Sequence, residues 1–230
     1  MSPYDWAIVL LGMLLQSMVI SAMLGGAVKR YPLVFGYVVF SFFSTVVQVS
    51  FQEYFGRRSK EFIRAYWVVD FIGTFLLLMV IIHFIRLAME KSRHRSTVYW
   101  GLLLGVAGTA AATVLLMRYS GRAFTLGKWL TEVGRDYYFS AVLLNAILWM
   151  VLVRRHHEDQ QLYLLASGLG LKLCGAAIAH AFRLLEKPLW LGNQVMVVTY
   201  LLSLYVWYVA LQRLPAIEPV GEEKLTASRP

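Results

Sequence analysis

Seven long apolar runs, separated by short polar and basic segments, cover most of the chain at about 6–28, 32–51, 66–85, 98–117, 137–153, 162–182 and 189–211. Crossing ~30 Å of hydrocarbon takes about 20 helical residues. In lipid, a single segment can satisfy all of its own backbone N–H and C=O groups only as a helix. The pattern therefore predicts an all-α, polytopic membrane protein, with one seven-helix transmembrane domain over 1–214. After Leu214 the chain carries Pro215, Pro219, Gly221 and Pro230 among charges, so 215–230 reads as a disordered cytoplasmic tail. The longest connection, 118–136, holds Leu126, Trp129, Leu130 and Val133 at helical spacing and is expected to form a short interfacial helix.

Composition agrees with this picture. Apolar residues make up 59% of the chain and charged ones only 15%, with a mean hydropathy of +0.60; soluble domains are ~45–50% apolar. A net charge of +9 would suit a nucleic-acid partner, but the basic residues lie scattered in short loops beside apolar runs, the placement of membrane topology signals. No nucleic acid is expected as a partner; the lipid bilayer is. The lone Cys174 can form no intramolecular disulfide, and no cysteine pair suggests zinc or redox chemistry.

Orientation follows from where the basic residues stand. Total Lys and Arg counts nearly balance between alternate loops, but runs one, three, five and seven lead directly into Lys29-Arg30, Arg86 with Lys91 to Arg95, Arg154-Arg155 and Arg213. The first five residues hold no Lys or Arg, unlike the positive start of a signal peptide. The expectation is an uncleaved first helix, the N-terminus outside, the C-terminus in the cytoplasm, and a bacterial cytoplasmic membrane as the location.

Ionisable groups at membrane depth cost roughly 2.5–3.5 kcal/mol or more and tend to mark sites. Lys172 stands near the middle of run six, too deep for its amine to reach the headgroups easily. Its helical face carries Gly168, Ala176 and His180, and the small residues Gly168 and Ala176 favour close helix packing. Structural partners for the amine would be backbone carbonyls, Asn145 or Gln16. Asp70, taken as only about 6 Å inside run three, matches the depth of His180 and Arg183 better than that of Lys172. Gln48, Asn193 and Gln194 lie near the same outer ends, while Gln16 and Asn145 fall near mid-depth. Facing inward, these groups would line a polar funnel open outside and closed below Lys172. The candidate ligand-binding set is Lys172, His180, Asp70, Asn145, Asn193 and Gln16.

Other features read as structural. Gly101-x-x-x-Gly105 with Gly108 in run four is expected to pack within the chain, with dimerisation as the alternative. Trp149, Tyr205 and Trp207 lie deep enough to line a ligand site, though packing is the default. The run His156-His157-Glu158-Asp159 abuts two arginines and suits a solvated loop better than a metal. No metalloprotease, nucleophile-elbow or P-loop pattern occurs, and no cofactor is implied. A seven-helix bundle with a buried lysine is similar in outline to retinal proteins, but those carry their Schiff-base lysine on the last helix, and run seven has none. No family is identified from the residues.

The reading that follows is a sensing or binding module that takes a small polar or anionic ligand through an outward-facing pocket and contacts a membrane or cytoplasmic protein partner. The alternatives are a small-solute or proton-coupled transporter and a non-catalytic accessory subunit. An intramembrane enzyme is disfavoured, since no nucleophile or metal set is evident.

Overall fold

The computed structural model describes residues 3–56, 59–90, 95–119, 126–154, 159–184 and 189–212. Among them are seven α-helices and no strand: α1 (Pro3–Leu24), α2 (Pro32–Phe55), α3 (Lys60–Ala88), α4 (Arg95–Tyr119), α5 (Leu126–Arg154), α6 (Gln160–Leu184) and α7 (Leu189–Gln212). Six of these helices have described spans long and apolar enough to cross a bilayer. The chain is an integral, multi-pass helical membrane bundle. Large apolar side chains such as Leu10, Leu14, Phe43, Leu104, Phe139, Leu143, Val198 and Leu202 stand exposed on its outside. Water would not tolerate so much open apolar surface, whereas acyl chains are indifferent to it.

Local chemistry sets the helix ends. α1 runs out at Gly25-Gly26, and Gly26 takes φ 129°, a backbone region that side chains rarely enter. A single 3-10 turn, Ala27–Lys29, then leads to Pro32 in the first turn of α2, where a fixed φ suits a helix start. α2 stops at Gly56, whose φ is 81° and whose N–H donates to Gln52 O. Ser59 caps α3 by accepting from the Phe62 N–H at 3.0 Å. Asp159 does the same for α6, its Oδ1 accepting from the Leu162 N–H at 3.0 Å.

Two helices begin earlier than the apolar pattern suggests. α3 starts at Lys60 rather than near 66, and α5 starts at Leu126 rather than near 137. Each has 29 residues, about 43 Å at 1.5 Å per residue, so both outreach the hydrocarbon. The segment read as a separate interfacial helix is instead the opening turns of α5, with Val133 fully buried. The tail 215–230 and the run 155–158 lie outside the described residues.

In cross-section the helices neighbour one another in the order α1, α2, α3, α5, α6, α7 and back to α1, with α3 also touching α6. α4 leans on α3 and α5 from outside. Its glycines do not serve the expected internal packing: a Cβ built at Gly101, Gly105 or Gly108 meets nothing within 4 Å among the described residues. Close packing falls to α6 instead. A Cβ at Gly168 would sit 2.6 Å from Trp207 Cδ1, and one at Gly175 would overlap Thr199 Oγ1, with Thr199 Cβ at 2.6 Å. Glycine at these two positions lets α6 lie directly against α7.

The core is concentrated toward the end of the bundle that carries the α1–α2 turn. Val34, Val38, Leu78, Ile81, Phe84, Leu165, Leu169 and Trp207 are all buried there. That end is also pinned by polar contacts. Arg30 Nη2 lies 2.6 Å from Asp159 Oδ2, tying the α1–α2 turn to the start of α6. His83 Nε2 is 3.2 Å from the Arg30 carbonyl. Tyr31 is fully buried and meets Phe84 edge to face, with centroids 6.2 Å apart. Burial, reinforced by Asp159, pushes the Tyr31 hydroxyl well above its ordinary range, against a smaller opposing effect of Arg30. It therefore stays neutral at physiological pH.

The two sets of glycines predict opposite responses. Gly175→Ala should force α6 and α7 apart and lower stability by about 1–3 kcal/mol, the usual cost of overpacking. Gly105→Ala should be neutral or slightly stabilising, since alanine is the better helix former by about 1 kcal/mol and space is free. Thermal unfolding of the purified proteins in detergent checks both.

Candidate functional site

Above the packed end, five helices diverge around a partly open cavity of about 180 Å³. α2 contributes Tyr37, Phe40, Ser41, Ser44, Thr45 and Gln48. α3 contributes Val69, Asp70, Gly73, Thr74 and Leu77, and Tyr138, Lys172 and Tyr200 come from α5, α6 and α7. The α2 residues recur every three or four positions, which puts them on one face of the helix. From Tyr37 to Gln48 that face climbs about 16 Å toward the α2–α3 end of the bundle.

Lys172 reaches this cavity from mid-helix in α6. Its Nζ donates to the Tyr37 hydroxyl. It also lies 4.6 Å from the centroid of the Tyr200 ring. A cation over an aromatic face gains ~0.5–1 kcal/mol when exposed and ~2 or more when desolvated. A hydrogen bond from a charged donor adds about 1.5–3 kcal/mol. Together these are of the same order as the cost of placing the amine at this depth. The aromatic clamp can therefore hold an ammonium here without any ligand, and the lysine alone does not demand one. The cavity beside it is the additional fact.

The clamp is itself braced. The Tyr200 hydroxyl accepts from Gln16 Nε2 at 2.5 Å and lies 2.8 Å from Ser41 Oγ, which also accepts from Gln16 at 3.2 Å. Gln16 is 1% exposed, and its Oε1 has no hydrogen-bond partner. α1, α2 and α7 thus meet in one polar knot behind the cavity wall. On the other side, the Tyr37 ring meets Trp207 edge to face at 5.9 Å, and Trp207 Nε1 donates to Leu165 O at 2.8 Å.

The six residues singled out in the sequence fall in different places. Lys172 and Asp70 border the cavity, and Gln16 is one hydrogen bond behind it. Asn145 points from α5 at Gly170 of α6, away from the lining set, with its Oδ1 buried and unpartnered. Asn193 is half-buried in α7 and is not among the lining residues. His180 falls within α6, but its side chain, like that of Arg183, lies outside the described residues. Asp70 and Lys172 line the same cavity because that cavity is tall, running along α2 from Tyr37 to Gln48, so a difference in depth does not exclude either of them.

Sequence reasoning passed over Tyr37 and Tyr200, the two residues nearest the amine. The signal was present: Tyr37, Ser41, Ser44 and Gln48 form a polar stripe at spacings of four, three and four in an otherwise apolar run. Trp149 and Trp207 pack against Gly170 and Gly168, and Tyr205 is exposed; none of the three lines the cavity. Among the described residues no group of three or more His, Cys, Asp or Glu could hold a metal ion. Compared with protein families, curated proteins and solved structures, the chain matches none.

The clamp predicts a non-additive pair. Tyr37→Phe removes the oxygen that accepts from the amine and should cost about 1–3 kcal/mol. In a Lys172→Met background the same change should cost well under half as much, because no charge is left in need of that oxygen. A double-mutant cycle on thermal stability measures the coupling, and additive losses would contradict the contact.

Proposed function

We propose that this protein is a sensing or binding module of the cell membrane that takes a small polar molecule into the cavity between α2, α3, α6 and α7. One observation carries the reading: a lysine amine and an aspartate carboxyl group, from Lys172 and Asp70, border a single hydroxyl-lined cavity inside an apolar bundle. Packing alone does not need such a space, and pockets that combine apolar walls with a few convergent polar groups are the usual form of ligand sites. The α2–α3 end faces outside in this reading, since Lys29, Arg30 and Arg86 stand at the other end, where basic residues favour the cytoplasm.

The packing below the cavity favours binding over conduction. Val34, Val38, Leu78, Ile81 and Trp207 fill the bundle between Lys172 and the α1–α2 end, and the Arg30–Asp159 pair closes that end. Ligand entry would reach the Tyr37–Lys172–Tyr200 clamp and change how α2 and α7 sit on α6. A cytoplasmic or membrane partner would read that change.

Site-directed thiol labelling tests the arrangement in a Cys174→Ser background, which removes the exposed native thiol. Thr45→Cys should react with a membrane-impermeant thiol reagent applied to intact cells, and Val38→Cys, in the packed zone, should not. Absence of reaction at Thr45→Cys from either side would remove the wet pocket, and reaction only from the cytoplasmic side would reverse the orientation. Steady solute uptake by proteoliposomes, lost in Lys172→Met, would replace sensing with transport.

A further inference from the structure

The cavity's charge and size narrow its ligand, and this step rests on the cavity being a ligand site. We infer that the pocket takes a compact monocarboxylate, with its carboxylate at the Lys172 ammonium and its apolar part against Phe40, Val69 and Leu77. Lys172 lines the cavity from the middle of α6, a helix packed closely on α7. An ammonium carries three N–H donors in flexible directions, and Tyr37 oxygen accepts one of them. The hydroxyls of Ser41, Ser44 and Tyr200 line the same cavity and can rotate to donate or accept. A carboxylate placed here would meet a charge-assisted donor and further hydroxyls, the pairing that gives the stronger class of hydrogen bond.

Asp70 borders the same cavity on α3, so a ligand with a second acidic group would bring another negative charge toward that carboxyl group. The volume sets the size. A buried apolar cavity of ~150 Å³ admits benzene, and this one is about 180 Å³. A ring or short chain carrying one carboxylate fits that space, and a full-length acyl chain does not. Carboxylates can arrive from water or, as fatty acids, from the bilayer, and the size argument selects the water-soluble source.

Thermal unfolding of the full chain in detergent, with benzoate as the probe, tests this directly. Benzoate should raise the unfolding temperature in a saturable way. Its uncharged analogue benzamide and its dianionic analogue phthalate should each need about tenfold or more higher concentration, the smallest loss expected when a charge-assisted contact is removed or opposed. Lys172→Met, verified as helical by circular dichroism, should lose the benzoate response to a similar degree. If benzamide matches benzoate, the pocket binds small molecules without selecting the anion, which overturns the carboxylate assignment and leaves the binding reading intact. Stabilisation by palmitate but not by benzoate overturns the soluble source. No response to any probe, with Thr45→Cys still labelled, overturns the ligand class alone. The comparison of probes on the unaltered chain stands even if Lys172→Met fails to fold.

Discussion

A single ammonium held at mid-bundle imposes more order on this protein than any other group. Lys172 is too far from either end of α6 to reach headgroups, so its solvation has to come from other helices. Tyr37 supplies an oxygen from α2, and Tyr200 supplies a ring face from α7. Three helices distant in sequence are thereby fixed in rotation as well as position. Gln16 extends the constraint to α1 by holding Tyr200 and Ser41 together. Acyl chains are as apolar as leucine, so helix association in lipid rests on close packing through small residues and on interhelical hydrogen bonds. The Lys172 contacts add to the close α6–α7 packing in fixing which helix faces meet.

Glycine placement makes that contact possible. Gly168 and Gly175 let α6 lie against Trp207 and Thr199, and without that approach Lys172 would stand too far from Tyr200. From Lys172 toward the α1–α2 end the interior is filled by leucine, isoleucine, valine and Trp207, and the turn at Tyr31 is stitched by Arg30, Asp159 and His83. Toward the other end, the inward faces of α2 and α3 switch to serine, threonine, glutamine and aspartate. One half of the bundle is dry and tight, and the other is polar and partly open.

Much of this was written in the order of residues, and some of it was not. Seven apolar runs spaced by charges are enough for the helical membrane class, since length and backbone hydrogen bonding leave no other single-segment solution. Lys172 stood out because nothing else so costly lies so deep. Helix starts were less legible: Lys60–Ala65 and Leu126–Asp136 carry charges that resemble loops, yet they continue α3 and α5 beyond the hydrocarbon. The added turns of α3 leave the depth of Asp70 unchanged; it lines the cavity because the cavity itself extends up α2 as far as Gln48. Helix rotation and neighbour choice were the least legible. Gly101, Gly105 and Gly108 carry the pattern of an interface but touch no other described helix, while Gly168 and Gly175, at a spacing of seven, form the real one. Asn145 and Lys172 are both near mid-depth, yet only the lysine borders the cavity. Depth comes from counting residues; facing comes from contacts between distant parts of the chain.

The arrangement also bears on how an occupied cavity would differ mechanically from an empty one. Tyr37 touches Lys172 with its oxygen and Trp207 with its ring. Trp207 has little freedom: its indole N–H is committed to Leu165 O, and its ring leaves no room for even a methyl group at Gly168. A ligand that drew the ammonium away from Tyr37 would thus change the load on a side chain backed by a rigid one. Close-packed interiors answer such changes by shifting whole elements rather than by local compression. The element that would shift is the α6–α7 pair, which runs from the cavity to Asp159 and the Arg30 contact. On the proposed reading, the tight half of the bundle conveys the state of the open half to the opposite membrane face, through the closely packed α6–α7 pair.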